Sequence, residues 1–485
     1  MWGNAFSCMS GMVYLHAAVD SVTRTVVETV EKSEREKKRD EVEDSIRARL
    51  KGFCLILSFG IPSLVFARYC CRNVNPYFII LHYFVMERYI TRSCEQKVLE
   101  TLQRYPAVTV YGPRQAGKTT MVRHVCPSFT YVNLEQHGPQ TLARHDPDAF
   151  FLRYPEPVIL DEIQNVPELI PTIQARSVAR GKKGQYVLTG SRQIALVQSL
   201  VGRTGLVWLF PLSLDELASG GYVLDRNSQL LVGGLPAVVS ETTSPYAYYQ
   251  DYISLYLEKD VASEGVKDLD RFATFMQLLA GRTGGLLDYR ELGDMTGVSS
   301  PTIKSWMAIL ARSHLIHMLT PYSGNREKVL TQTPKVYFCD TGLVCGLLGI
   351  MTPDLLGNDR LLGPLFETMI VSEAYKMAYL NRTERFLHFS RNKRGKEVDL
   401  ILQDGQTIRP FEIKSGMALR ADYCANMDYF ASVTPDCDQQ HTVIYAGDDV
   451  PSFSGMRFVN WKKSDALFTP RTAPYVFNPQ EHMGC

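Results

Sequence analysis

The chain has 485 residues, of which 45% are hydrophobic and 21% charged, and a formal net charge of +1. This composition excludes a disordered, collagenous or disulfide-scaffold protein and supplies a core of ordinary size, spread over about two to four domains. A nearly neutral chain carries no global field aimed at nucleic acid or anionic membrane, so any basic surface must be local.

Residues 1–85 read as an extension of uncertain order. Within Glu31–Asp44 all but two positions are charged, with no apolar stripe to pack. Lys51 and Arg68 then bracket a 16-residue uncharged run, interrupted at Gly60-Ile61-Pro62. It falls short of the roughly 20 apolar residues that span a bilayer, and the run Pro76–Val85 is shorter still. A membrane tether is the weaker reading, so a membrane partner is not expected. The eleven cysteines include no CxxC pair, which points to a reducing, cytoplasmic setting. Punctuated globular sequence begins at Met86.

Ala107–Tyr111 reads as a buried strand, followed by Gly112-Pro113-Arg114-Gln115-Ala116-Gly117-Lys118-Thr119 and a helix from Thr119 onward. The octet fits G-x-x-x-x-G-K-[ST], the phosphate-binding loop. Its backbone N–H groups, continued by Thr120 on the helix, would cradle the phosphates of ATP. Lys118 would reach the β- and γ-phosphates, and Thr119 would ligate Mg²⁺. Pro157–Leu160 is a short apolar strand ending in Asp161-Glu162. Asp161 would hold the metal through water, and Glu162 would polarise the attacking water. Gln185–Leu188 is another strand, ending in Thr189 and Ser191, either of which could sense the γ-phosphate. Arg203, in a glycine turn, is a candidate to stabilise transition-state charge in cis or across a subunit interface.

The strings GPRQAGKTT, YVNLE (131–135), LDEIQNVPEL (160–169), LTGS (188–191), LVGRTG (200–205), FPLSLDEL (210–217) and GGLPAVV (233–239) resemble a family of prokaryotic AAA+-type ATPases. Members carry a C-terminal domain of unknown function, and the resemblance runs from about Met86 to about residue 450. It implies an AAA-like P-loop fold. Arg192 departs from the pattern, where a small or polar residue is usual.

From Tyr248 to Ile316 the periodicity is helical. Tyr289–Gly297 and Ser299–Leu310 carry helix-turn-helix punctuation, with Ser299 or Ser300 as cap and Pro301 in the first turn. Thr302, Lys304 and Ser305 would face outward on a recognition helix, and His314–Thr320 with Lys335–Phe338 could supply a wing. One lysine is little charge with which to neutralise phosphates, so either DNA contact or an architectural role fits.

Leu365-Phe366-Glu367 opens a helix, and Glu397–Leu402 and Pro410–Lys414 read as partner strands. Glu412 and Lys414 share a face because strand side chains repeat every two residues, with Asp399 beside them. The spacing D-x(12)-E-x-K after a helix glutamate resembles the PD-(D/E)XK nuclease core. That resemblance implies Mg²⁺ on Asp399 and Glu412, a water positioned by Lys414, and a metal site completed by Glu367. The basic stretch Arg391–Lys396 would lie next to it and suits phosphate contacts.

The expected fold class is α/β. A parallel P-loop sheet of AAA+ type (86–240) is followed by a helical and winged-helix-like segment (241–350), a small nuclease-like α/β domain (351–450) and a tail (451–485). The leading functional expectation is a Mg²⁺-dependent ATPase controlling a DNA-handling nuclease-like domain. The alternative is a non-cutting nucleotide switch acting on a protein or nucleic-acid partner, or assembling with copies of itself.

Overall fold

The computed structural model describes residues 89–471 apart from 192–201, 241–242, 323–332, 358–359, 393, 435 and 439. The N-terminal extension with its charged and apolar runs, and Arg192, therefore lie outside the described residues. No described helix is long and apolar enough to cross a membrane.

Two sheets organise residues 89–471. The first contains β1 (Ala107–Tyr111), β2 (Thr130–Asn133), β3 (Val158–Asp161), β4 (Tyr186–Gly190) and β5 (Thr204–Trp208), in the order β2-β3-β4-β1-β5. All its pairings are parallel. The central strands β1, β3 and β4 are buried at every position, as expected of a sheet covered on both faces. Helices α1 (Glu95–Arg104), α2 (Lys118–Val125) and α3 (Leu169–Arg180) belong to this layer.

The middle helices are α4 (Pro245–Tyr256), α5 (Leu269–Ala280), α6 (Tyr289–Thr296) and α7 (Ser300–Arg312). The helix-turn-helix punctuation is present as read. Gly297 ends α6 at φ +69°, and the Ser299 hydroxyl accepts the Thr302 N–H at the start of α7. Lys304 and Ser305 are exposed, while Ile303 and Trp306 face the core.

The second sheet has eight strands, ordered β12-β13-β11-β10-β9-β8-β6-β7. They are β6 (Ile316–Pro321), β7 (Lys335–Phe338), β8 (Leu387–Arg391), β9 (Glu397–Asp404), β10 (Thr407–Lys414), β11 (Thr442–Tyr445), β12 (Val450–Phe453) and β13 (Met456–Asn460). Around it lie α8 (Thr341–Leu348), α9 (Leu362–Asn381) and α10 (Ala425–Val433).

The expected divisions at 350 and 450 both fall within the stretch of chain that builds the second sheet. β6 and β7 pair antiparallel, and β6 also pairs in parallel with β8. The pair thus joins the C-terminal sheet, because an open strand edge is satisfied by the nearest compatible strand. β13 and the core residues Trp461 and Phe468 extend the same body past residue 450, into the expected tail. One hydrophobic cluster runs from Leu214 to Phe468.

Candidate functional sites

The phosphate-binding loop spans β1 to α2. Gly112 is forced by packing: a Cβ there would fall 1.8 Å from the Leu209 carbonyl oxygen after β5. Gly117 takes φ +91°, a left-handed conformation that glycine adopts without strain, and Gln115 sits at φ +59°. Lys118 is buried, and its Nζ donates to the carbonyl oxygens of Gly112 (3.0 Å) and Pro113 (2.9 Å). Burial lowers the Lys118 ammonium pKa, against the opposing pull of Glu162 and Asp161.

Asp161 ends β3 under three hydroxyls. Thr119 Oγ1 donates to it at 2.8 Å, Tyr131 at 2.8 Å and Thr189 at 2.5 Å. Thr189 in turn accepts the Glu162 N–H at 2.9 Å, tying the ends of β3 and β4 together. Glu162 adopts φ +58°, a sparsely populated conformation that concentrates at functional sites. Gln164 bonds both its carboxylate and Ser191 Oγ. Burial alone would raise the Glu162 carboxyl, yet the Lys118 ammonium, the Gln164 amide and Arg114 hold it below the usual range. A hydroxyl and a carboxylate at this spacing are donors suited to a hydrated Mg²⁺. Thr119, Asp161, Glu162, Thr189 and Ser191 are thus brought together through direct contacts and Gln164.

Arg203 does not join them. The Ala107 N–H donates to its carbonyl oxygen, and Thr204 pairs with Ala107, at the N-terminal edge of the sheet. The loop lies at the opposite ends of these parallel strands, about 17 Å away at ~3.3 Å per residue. The cis role falls away because the glycine turn precedes β5 rather than following it.

Sequence reasoning missed several residues around the loop. Arg92 is buried and donates to Ala116 O (2.7 Å), Phe210 O (2.6 Å) and Glu216 (3.1 Å). Glu216 also closes a capping box with Ser213. Arg114 pairs with the buried Asp260 beyond α4, and Tyr248 of α4 donates to Gln115 at 2.8 Å. The loop is therefore latched to the helical segment. Arg92, Tyr248 and Asp260 carry no spacing that a motif could reveal.

The second site is a buried carboxylate centre on the C-terminal sheet. In the register of β9 and β10, Phe411 faces Leu400, which brings Asp399 opposite Glu412. The ladder opens there, and Asp399 Oδ2 accepts the Ile413 N–H at 2.8 Å. Lys414 Nζ is 2.6 Å from Glu412 Oε1 and 3.8 Å from Asp399 Oδ2. Glu367, from the first turns of α9, lies with Glu397 and Asp399 so that carboxylate oxygens of all three are within 4.8 Å of one another. Glu397 was not expected here, nor were Lys335 and Tyr337 of β7. Tyr337 donates to Glu367 Oε1 at 2.5 Å, and Lys335 bridges Glu367 (2.8 Å) and Glu397.

Burial, then the Asp399 charge, pushes the Glu367 carboxyl up to about 7 and that of Glu412 to about 8. Glu412 Oε2 is buried without a partner. An orphaned acceptor beside a second carboxylate fits a divalent cation. Of the basic stretch, Arg391 pairs with Glu397 at 3.3 Å, and Lys396 lies over the Tyr429 ring.

Residues 104–218 match the family described as an AAA domain. Residues 224–354 match a domain of unknown function, DUF8612, and residues 362–463 match another, DUF4143. Uncharacterized proteins of Mycobacterium bovis and Mycobacterium tuberculosis are each 29% identical over 331 residues, covering 67% of this chain and 73% of theirs. A Walker-type ATPase of Pyrococcus abyssi aligns at 14% identity and a TM-score of 0.37, over 54% of this chain and 97% of its own. A STAND protein of Pyrococcus horikoshii with a tetratricopeptide repeat sensor aligns at 12% identity and a TM-score of 0.24, over 61% of this chain and 48% of its own. The AAA-domain match and the β2-β3-β4-β1-β5 sheet agree: residues 89–208 form a P-loop NTPase fold.

Proposed function

We propose that this protein is a Mg²⁺-dependent ATPase whose nucleotide cycle governs a phosphodiester-handling centre on its C-terminal sheet. The roles follow from position. Lys118 and the loop N–H groups, from Gly112 to Thr120, bind the phosphates. Thr119 and Asp161 hold the metal, Glu162 orients water, and Thr189 with Ser191 reports the γ-phosphate. In the second centre Asp399 and Glu412 hold a divalent ion, Glu367 completes its surroundings, and Lys414 positions water. The ion would supply Lewis-acid polarisation of phosphorus. The element order α9-β8-β9-β10-α10-β11, with β10 and β11 parallel, supports the nuclease-like reading.

The coupling rests chiefly on α9. Glu367 sits near its start, while Glu373, Lys376 and Tyr379 farther along touch the segment that leaves the ATPase sheet. The Leu214 N–H donates to Glu373 at 2.9 Å, Lys376 donates to Leu212 O at 2.9 Å, and Tyr379 packs 5.5 Å from Trp208. One helix of 20 residues, roughly 30 Å long, thus runs from the carboxylate centre to the segment that leaves the ATPase sheet.

A second reading is favoured by the Lys335 ammonium lodged among the carboxylates: a non-cutting switch whose C-terminal body binds DNA or a protein partner. Plasmid and linear DNA, incubated with Mg²⁺ or Mn²⁺ with and without ATP, separate the two. Cleavage lost in Asp399→Ala supports the first, and its dependence on Lys118 reads the coupling. Intact DNA under every condition, with ATP still turned over, would sink it in favour of the switch.

A further inference from the structure

Lys335 is not part of the motif that identifies the carboxylate centre, yet it lies inside it. Its residue is 2% exposed. It stands at the start of β7, opposite Leu319 of β6. From there Nζ bonds Glu367 Oε1 at 2.8 Å and also Glu397 Oε1. The rings of Phe389 and Tyr337 lie 5.5 and 5.9 Å from the ammonium, which hold the side chain against a dry, apolar wall. Glu367 Oε1 already accepts from Tyr337, so this oxygen is committed twice.

Glu367, Glu397 and Asp399 are the three groups whose spacing would suit an ion, and two of them are spanned by the ammonium. A divalent ion placed among the same oxygens would sit within a few ångströms of a buried positive charge, in surroundings that screen poorly. The other half of the centre differs. Asp399 and Glu412 lie one step beyond the last paired residues of β9 and β10, Leu400 and Phe411, and Glu412 Oε2 is buried with no partner. Lys414 occupies only Glu412 Oε1 at bonding distance.

Granting the phosphodiester-handling reading above, we propose that Lys335 stands permanently where a second divalent ion would bind, so that the centre takes a single ion, on Asp399 and Glu412. Two-ion sites place their metals about 3.5–4 Å apart to clamp the attacking and leaving oxygens together. Here the Lys335 ammonium supplies the second positive charge. An ammonium donates hydrogen bonds but cannot coordinate a water, so Lys335 is a positioning residue that fixes Glu367 and Glu397. Water activation is left to the Asp399, Glu412 and Lys414 side.

The test counts Mn²⁺ by electron paramagnetic resonance on nucleotide-free, full-length protein, with Asp399→Asn as the blank for ions held elsewhere. The wild type should hold one Mn²⁺ beyond the blank, with an uncoupled spectrum. Lys335→Met, similar in length but uncharged, should hold two, with the exchange splitting of neighbouring ions. Two coupled ions in the wild type overturn the proposal while leaving the phosphodiester reading standing. So does a count that stays at one in a Lys335→Met protein that still binds ATP. No ion beyond the blank in either chain overturns both. Lys335→Gln, neutral but able to keep hydrogen bonds to Glu367 and Glu397, stands in should Lys335→Met not fold, and a count of one there overturns the proposal as well.

Discussion

The two charged centres resolve burial in opposite ways. At the nucleotide site the protein satisfies itself: three hydroxyls cover Asp161, and Lys118 rests on the carbonyls of its own loop. At the C-terminal centre four carboxylates converge on two lysines and Arg391, and Glu412 keeps an oxygen with no partner. The first site waits in a relaxed state and exchanges internal hydrogen bonds for phosphate. The second crowds carboxylates together, a charge relieved by a cation or by protonation of Glu367 and Glu412, and a cost in stability typical of functional sites.

That contrast can be broken most directly at Lys118. Lys118→Ala should weaken ATP binding by about 1000-fold, because it removes the point charge facing the β- and γ-phosphates, while the unfolding of the C-terminal body stays as in the wild type. Unchanged affinity for a fluorescent ATP analogue would remove the loop from the mechanism. Glu162→Gln should leave ATP bound and slow its hydrolysis ~1000-fold, the range of a lost general base. Wild-type turnover in that variant would assign water orientation to another group.

A third prediction concerns the junction between the two regions. His314 and His317 are buried among Trp208, Phe210, Tyr375 and Tyr379, and their Nε2 atoms have no partner. Lys118 bears on His314, and His314 and Lys376 bear on His317. Burial holds His314 down at about 4 and His317 at about 3, from 6.5 in an unfolded chain. The unfolded chain therefore binds more protons over that window. The contribution of the two histidines should be complete above pH 6.5 and fall as the pH drops towards 4, by ~3 kcal/mol for each, while the raised carboxyls of Glu367 and Glu412 gain stability over the same descent. Urea unfolding of the wild type and of His317→Phe at pH 7 and pH 5 checks this, and a stability difference between the two chains that does not change with pH would contradict it. The smallest effect is expected at Asp399. Asp399→Asn can keep the bond from the Ile413 N–H while removing repulsion with Glu412 and Glu367. It should raise stability by about 1 kcal/mol in metal-free buffer. A lower melting temperature would mean that the Lys414 contact outweighs the repulsion.

The same contrast explains what could be read from the chain. The phosphate loop and the Asp161-Glu162 pair are contiguous in sequence and dictated by local geometry, so their residues announced themselves. Asp399, Glu412 and Lys414 were legible because one hairpin brings them together at a fixed spacing. Lys335, Tyr337 and Glu397 were not. β7 reaches the centre only by joining a sheet whose order is not the chain order, and Lys335-Val336-Tyr337-Phe338 looked like an ordinary wing strand. Arg92 and Asp260 were hidden for a related reason: each acts through a contact more than 100 residues away in sequence. Arg203 misled because its glycine turn leads into β5, a strand not foreseen from the sequence, and so lies at the end of the sheet away from the phosphate loop.

The strand order of the second sheet also sets a timetable for synthesis. The P-loop sheet is complete once Trp208 has been made, whereas β13, which lies between β11 and β12, arrives only at Met456–Asn460. Domains generally fold as units, the N-terminal one first as the chain emerges. On the ribosome, the nucleotide-binding half can close while the β6–β7 pair still waits, edge exposed, for partners more than 60 residues downstream. The carboxylates of the second centre can be pressed together only once β10, at Thr407–Lys414, has been made.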